Sequence, residues 1–265
     1  MILVNDTDII NPFHRRINNS TTQKINNIYE EILAKGYESY RIFYLGLYGS
    51  QNYHLDTDKS DIDCECFIFP TNDDIIFGKS FYSKIITTSY GQCVIKDIRA
   101  MFNELRKSSP NILEALNSPY ALYNEDFGLK AENFIVLSHC YFERLNSTKI
   151  LLGLKGMMDR LYPNIDTNPK AYANVFRICE MLNKLEQGTL YKDTLVPRNV
   201  DWLYKIKAGK EQLMQHDIDT LKKLYAVMSD GVKIRAKDMR QDETILEYIN
   251  HTQKELIERY IKLYF

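Results

Sequence analysis

Apolar positions follow two rhythms along this chain. TTQKINNIYEEILAKG places Ile25, Ile28, Tyr29, Ile32 and Leu33 at three- and four-residue spacing and stops at Gly36, which predicts an amphipathic helix over about residues 21–35. RIFYLGLY (41–48) and DCECFIFP (63–70) are short runs rich in β-branched and aromatic residues, the second ending at a proline, and predict strands. SKIITTS and QCVIKDI predict two more strands, and IRAMFNELRK and SPNILEAL predict two short helices, with Pro110 near the start of the second. From about residue 125 onward the rhythm is helical throughout, in ENFIVLSHCYFERL, TKILLGLKGMMDRL, AYANVFRICEMLNKLEQG, TLKKLYAVM and ETILEYINHTQKELIERYIKLYF. The expected class is α+β: a mixed-sheet domain over 1–124, then an all-helical domain over 125–265. No repeat, low-complexity tract or long linker separates them.

Composition changes this picture little. Of 265 residues 45% are apolar, enough for one large core or two small ones, and a net charge of −1 excludes a polycation that coats nucleic acid. The first 124 residues are slightly acidic and the remainder slightly basic. No apolar run approaches the roughly 18 residues of a membrane span, and MILVNDTDIINPFHRR holds too short an apolar stretch for a signal peptide, so a cytoplasmic location is expected. Cys64, Cys66, Cys93, Cys140 and Cys179 form no C-x-x-C pair and read as reduced, buried, small apolar residues.

The stretch LYGSQNYHLDTDKSDIDCECFIFP (47–70) carries the candidate chemistry. A strand that ends in Gly49-Ser50 and turns into a helix presents backbone N–H groups and a hydroxyl to an anion, and glycine lets a phosphate approach closely. Asp61 and Asp63, at i and i+2 of a strand, point to one side and lie close enough to share a hard divalent cation. Together these features describe metal-assisted phosphoryl or nucleotidyl transfer, in which two metal ions clamp the attacking and leaving oxygens. The plainer alternative makes Asp56, Asp58, Asp61 and Asp63 turn and edge residues on a solvated face.

Leu47, Gly49, Ser50 and Asp61-Ile62-Asp63 resemble the signature of the DNA polymerase β-like nucleotidyltransferase superfamily. GSQNYHLDTDKSDID, DIRAMFNELRKSSPNILEAL, KAYANVFRICEMLNKLEQGTL and KIKAG are similar to the predicted nucleotidyltransferases of the YcgL/RlaP-like group associated with RNA repair. The resemblance implies a polymerase β-like catalytic domain and a helical C-terminal domain, with a nucleoside triphosphate in the cleft between them. By that analogy Gly49 and Ser50 hold the triphosphate, Asp61 and Asp63 hold two Mg²⁺ ions, and the acceptor is an RNA 3′ end. A protein or small-molecule hydroxyl is the alternative acceptor, and a catalytically weakened nucleotide-binding module the alternative function.

Superfamily members add a third carboxylate from a neighbouring strand. Asp97 is the candidate here, although an Asp just before IRAMFNEL is equally a helix N-cap. The group's usual acid aligns near Gln92, which coordinates metal weakly and cannot act as a base; Glu65, on the face of Asp61 and Asp63, is the substitute. His54 replaces a glycine and Asn174 a histidine of the similar proteins. On the helix beginning at Lys170, the side chains of Lys170, Asn174 and Arg177 share a face, and Lys170 and Arg177 are the candidate contacts to the triphosphate. Lys205, Lys207 and Lys210, with Lys233, Arg235, Lys237 and Arg240, read as a solvated surface or as an RNA-backbone track.

Overall fold

A computed structural model describes residues 2–3, 18–80, 82–127, 147–237 and 243–264 of the chain. The expected helix over ENFIVLSHCYFERL, Cys140, Asp238, Arg240 and Asp242 lie outside these residues. The architecture is α+β: a mixed sheet formed before residue 124, then helices. In chain order the elements are β1 (Ile2–Leu3), α1 (Asn19–Ala34), β2 (Ile42–Tyr48), β3 (Asp63–Ile68), α2 (Asn72–Ile76), β4 (Ser83–Thr87), β5 (Gln92–Asp97), α3 (Ile98–Arg106), α4 (Pro110–Leu116) and β6 (Ala121–Tyr123). After residue 146 come α5 (Ser147–Leu161), α6 (Pro169–Glu186), α7 (Tyr191–Thr194), α8 (Val200–Lys207), α9 (Gln215–Ala236) and α10 (Glu243–Tyr264). No helix among the described residues is long and apolar enough to cross a membrane.

The six strands lie in the order β1-β6-β2-β3-β5-β4. All neighbours are antiparallel except β3 and β5, which run parallel with Cys64 beside Cys93 and Ile68 beside Asp97. Strand alternation sorts side chains between two cores. Ile25, Ile28 and Ile32 of α1 pack on Leu45, Leu47, Cys64, Cys66, Cys93 and Ile95, so these cysteines are buried filling on the face away from Asp63 and Glu65. The opposite face carries Phe43, Tyr44 and Phe67 into a second core, which runs on through α3 and α4 to Met158, Val175, Leu203 and Tyr260 of the helical half.

Three short elements before residue 124 were not foreseen, β1, β6 and α2, because segments of two to five residues carry too few positions to show a period. The segment after Gly49 is a single 3₁₀ turn, Ser50–Tyr53, rather than the start of a helix. His54 closes it in the left-handed region at φ 58°, and the Leu55 N–H returns to the Ser50 carbonyl at 2.9 Å.

Candidate functional site

The residues of LYGSQNYHLDTDKSDID fold into a loop that brings both ends of the motif to one place. Gly49 ends β2 at φ 111°, a conformation that costs a residue with a Cβ but not glycine. A second turn, with the Ser60 N–H on the Thr57 carbonyl at 2.8 Å, reverses the chain toward β3. Two bonds then fix the acidic segment: Gln51 Nε2 donates to the Asp61 carbonyl at 2.9 Å, and the Ile62 N–H donates to the Tyr90 carbonyl at 2.8 Å.

Opposite this loop stands α6. Asn168 caps it, accepting from the N–H groups of Lys170 and Ala171 at 2.9 and 3.2 Å, with Pro169 at the first helical position. Lys170, Asn174 and Arg177 consequently rise along one face. The space between is a cavity of about 470 Å³, lined by Gly49, Ser50, Asp61 and Asp63 on the sheet side and by Lys170, Asn174, Arg177 and Lys207 on the helical side. A cavity of this size and mixed lining suits a small-molecule ligand.

Six of the sequence-predicted site residues thus meet: Gly49, Ser50, Asp61, Asp63, Lys170 and Arg177. Asp97 does not. It is the register partner of Ile68, five positions along β3 from Asp63, about 16 Å away at roughly 3.3 Å per residue. Its carboxylate caps α3 by accepting from the Arg99 N–H at 2.8 Å and pairs with the Arg99 guanidinium at 2.7 Å. The expectation that Asp97 joins the metal and catalytic set is therefore corrected: it is a buried N-cap at the far end of the strand. Gln92, at the near end of β5, donates its backbone N–H to Asp63.

Glu65 shares the face of Asp63, yet it is buried and bound to Lys96 Nζ at 2.8 Å, and Lys96 also binds Glu104 at 2.7 Å. Asp61 and Asp63 form no ion pair among the described residues. Burial foremost, and the Asp61 charge beside it, hold the Asp63 carboxyl above the usual carboxylate range, while the Gln92 N–H and Lys170 pull the other way. Two uncompensated carboxylates facing a cavity fit Mg²⁺, which is commonly held by one or two carboxylates and completed by substrate phosphates. No cluster of three or more His, Cys, Asp or Glu side chains suited to a metal occurs among the described residues.

The cationic wall is built in an unusual way. Arg177 is only 3% exposed, its guanidinium lies 3.6 Å from the Tyr53 ring centroid, and it donates to Met181 Sδ at 2.9 Å. Its Nε has no partner. Lys207 Nζ reaches across to the Leu55 carbonyl at 2.7 Å. Burial first, then Lys170 and Arg177, push this ammonium down to about 8 against the opposing pull of Asp56. Lys205 and Lys210 are exposed, and Lys233 and Arg235 of α9 pair with Asp230 and Glu186.

Sequence reasoning missed Glu114 and Tyr53, which also line the cavity, and treated Lys207 only as part of a basic stretch. A charged residue inside the apolar run ILEAL was the available signal for Glu114, since it is buried with its neighbours Ile112, Leu113, Ala115 and Leu116.

No protein-family model matches the chain. No curated protein matches it either. Among solved structures, it is similar to a nucleotidyltransferase-like protein from Exiguobacterium sibiricum 255-15, at 13% identity over 91% of each chain with a TM-score of 0.26.

Proposed function

We propose that the chain is a nucleotidyltransferase that moves a nucleoside monophosphate from an NTP to an acceptor hydroxyl, with 1–124 as the catalytic half and 125–265 closing the nucleotide cleft. One observation carries this reading. Two unpaired carboxylates face a cavity whose other wall holds Lys170, Lys207 and a buried Arg177 with an unused donor. Glu114 offsets the Arg177 charge across the Tyr53 ring but leaves its Nε without an acceptor, and a polyphosphate is an anion that would meet that donor and also bring divalent cations to paired carboxylates.

In this reading the Ser50 hydroxyl and N–H, which meet no protein partner among the described residues, donate to the phosphates. Arg177 binds the departing pyrophosphate bidentately, and Lys170 and Lys207 add charge where it develops in the transition state. Asp61 and Asp63 hold Mg²⁺, which when bound polarises the phosphoryl group and offsets its charge. The two carboxylates with substrate phosphates provide for one ion; a second would draw on the weak Gln92 amide.

The acceptor we favour is an RNA 3′ end, on the strength of the sequence resemblance; a protein or small-molecule hydroxyl is the alternative. A second reading, a nucleotide-binding module with little turnover, is favoured by Gln92 beside Asp63, where a third carboxylate would serve. The test is incubation with each α-labelled NTP, Mg²⁺, and RNA or protein acceptors. Transfer that is lost in Asp61→Asn with Asp63→Asn supports the enzyme. Binding without transfer, turned into transfer by Gln92→Glu, supports the module. Absence of nucleotide binding removes both.

A further inference from the structure

We infer that Glu114 is the positioning residue of this site, its carboxylate fixing the Gly49–Tyr53 turn and, through Tyr53, the place of the Arg177 guanidinium. The inference deepens the nucleotide reading above and rests on it for its ligand.

Three donors from one short turn converge on this carboxylate. Oε1 accepts from the Gly49 N–H and from Asn52 Nδ2, the latter at 3.3 Å, and Oε2 accepts from the Tyr53 hydroxyl. Glu114, Asn52 and Tyr53 are all at least nine-tenths buried. The turn is held from its other side as well, since Asn52 Nδ2 donates to the Leu47 carbonyl at 3.0 Å and Ser118 Oγ donates to Asn52 Oδ1 at 2.9 Å.

Helix α4 can deliver Glu114 here because β2 has a glycine under it. A Cβ on Gly46 would fall 2.7 Å from the Ala115 carbonyl oxygen, so the α4 backbone rests directly on the strand, and the Tyr44 hydroxyl donates to that same oxygen at 3.0 Å. Tyr53 then transmits the placement: its hydroxyl is bound to Glu114 while its ring carries the Arg177 guanidinium. Arg177 is the cation that offsets the buried Glu114 charge, across the tyrosine ring.

This arrangement changes the part played by Gly49. Its N–H is already committed to Glu114, so Gly49 serves by conformation, and anion contact passes to Ser50. A glutamine at 114 keeps one acceptor oxygen for the Gly49 N–H and can donate its NH₂ to the Tyr53 hydroxyl, but it removes the negative charge that strengthens both contacts and faces Arg177.

The experiment uses the full chain with Glu114→Gln and Tyr53→Phe, the latter keeping the ring under Arg177. Hydrogen exchange of the 47–55 segment is measured without ligand, beside thermal melting and calorimetry with Mg²⁺ and a non-hydrolysable NTP. The expected result is faster exchange confined to the turn, a melting temperature within a few degrees of the parent, and binding weakened about 5- to 20-fold in both variants. Unchanged exchange of the turn, or unchanged affinity in both variants, overturns the inference. If the parent chain binds none of the four nucleotides, the nucleotide reading fails, while the exchange arm still decides whether Glu114 fixes the turn.

Discussion

Arg177→Met separates what this residue does for a ligand from what it does for the fold. In the ligand-free chain the guanidinium stacks on Tyr53 at 3.6 Å, and its Nε is buried without a partner. Losing a desolvated cation–π contact costs about 2 kcal/mol. Removing a buried donor that has no acceptor recovers about 1–3 kcal/mol. The two nearly cancel, which leaves the loss of the cation that offsets the buried Glu114 charge, so stability should fall by about 3–5 kcal/mol, a shift of roughly 10–15 °C for a chain of this length. Charge-assisted hydrogen bonds to phosphate are worth about 1.5–3 kcal/mol, so affinity for a non-hydrolysable NTP with Mg²⁺ should fall roughly 10- to 150-fold. Calorimetric titration and thermal melting of the same preparation check both halves. Unchanged affinity, or a collapse of stability with no loss of affinity beyond that of a surface control, would refute the assignment of Arg177 to the ligand.

Other expectations follow from single contacts. Gly46→Ala drives a methyl into both the Tyr44 ring and the Ala115 backbone, and should cost about 1–3 kcal/mol by denaturant unfolding while weakening nucleotide binding through Glu114. Asp97→Ala removes the α3 cap and the Arg99 pair; it should cost about 1–2 kcal/mol and leave nucleotide affinity unchanged, whereas an affinity loss would return Asp97 to the site. Lys207, pushed down to about 8, is charged below that pH and neutral above it, so anion affinity should fall as pH rises through 8. Because the unfolded lysine still binds its proton up to about 10.5, stability should rise with pH between those values, and Lys207→Met should remove both dependences.

Local signals carried most of this fold. The strands and helices with a clear period were legible because burial on one face imposes that period, as in α1 and β3. Asp61 and Asp63 were expected to share a face as i and i+2 of a strand; β3 begins only at Asp63, yet both residues line the cavity. Asp97 was misplaced because a parallel neighbour can present either of its ends to Asp63, and only the register, Cys64 with Cys93, decides which. Glu114 and Lys207 were missed for a similar reason: each reaches the cavity through a packing contact between distant segments, Gly46 under Ala115 in one case and the Leu55 carbonyl in the other.

The three acids of DIDCE show how the fold distinguishes a site from a buried pair. Asp63 and Glu65 stand on the same face of β3, but β5 offers them different neighbours. Lys96 binds Glu65 and Glu104 together, and that charge is spent on the core. Gln92 gives Asp63 only a backbone N–H and Lys170 acts on it without forming an ion pair, so burial, with the Asp61 charge, keeps its proton affinity raised. The same asymmetry appears across the cavity, where Lys233 and Arg235 are paired on the surface of α9 while Arg177 keeps an unused donor in the interior. Carboxylates without an ion pair on one wall of the cavity, and a guanidinium donor without an acceptor on the other, lower stability in the empty chain, and a ligand that carried its own anions and cations would reverse that cost. It is on this opposition of charges, rather than on any one motif residue, that the proposal of a metal-bound polyphosphate ligand rests.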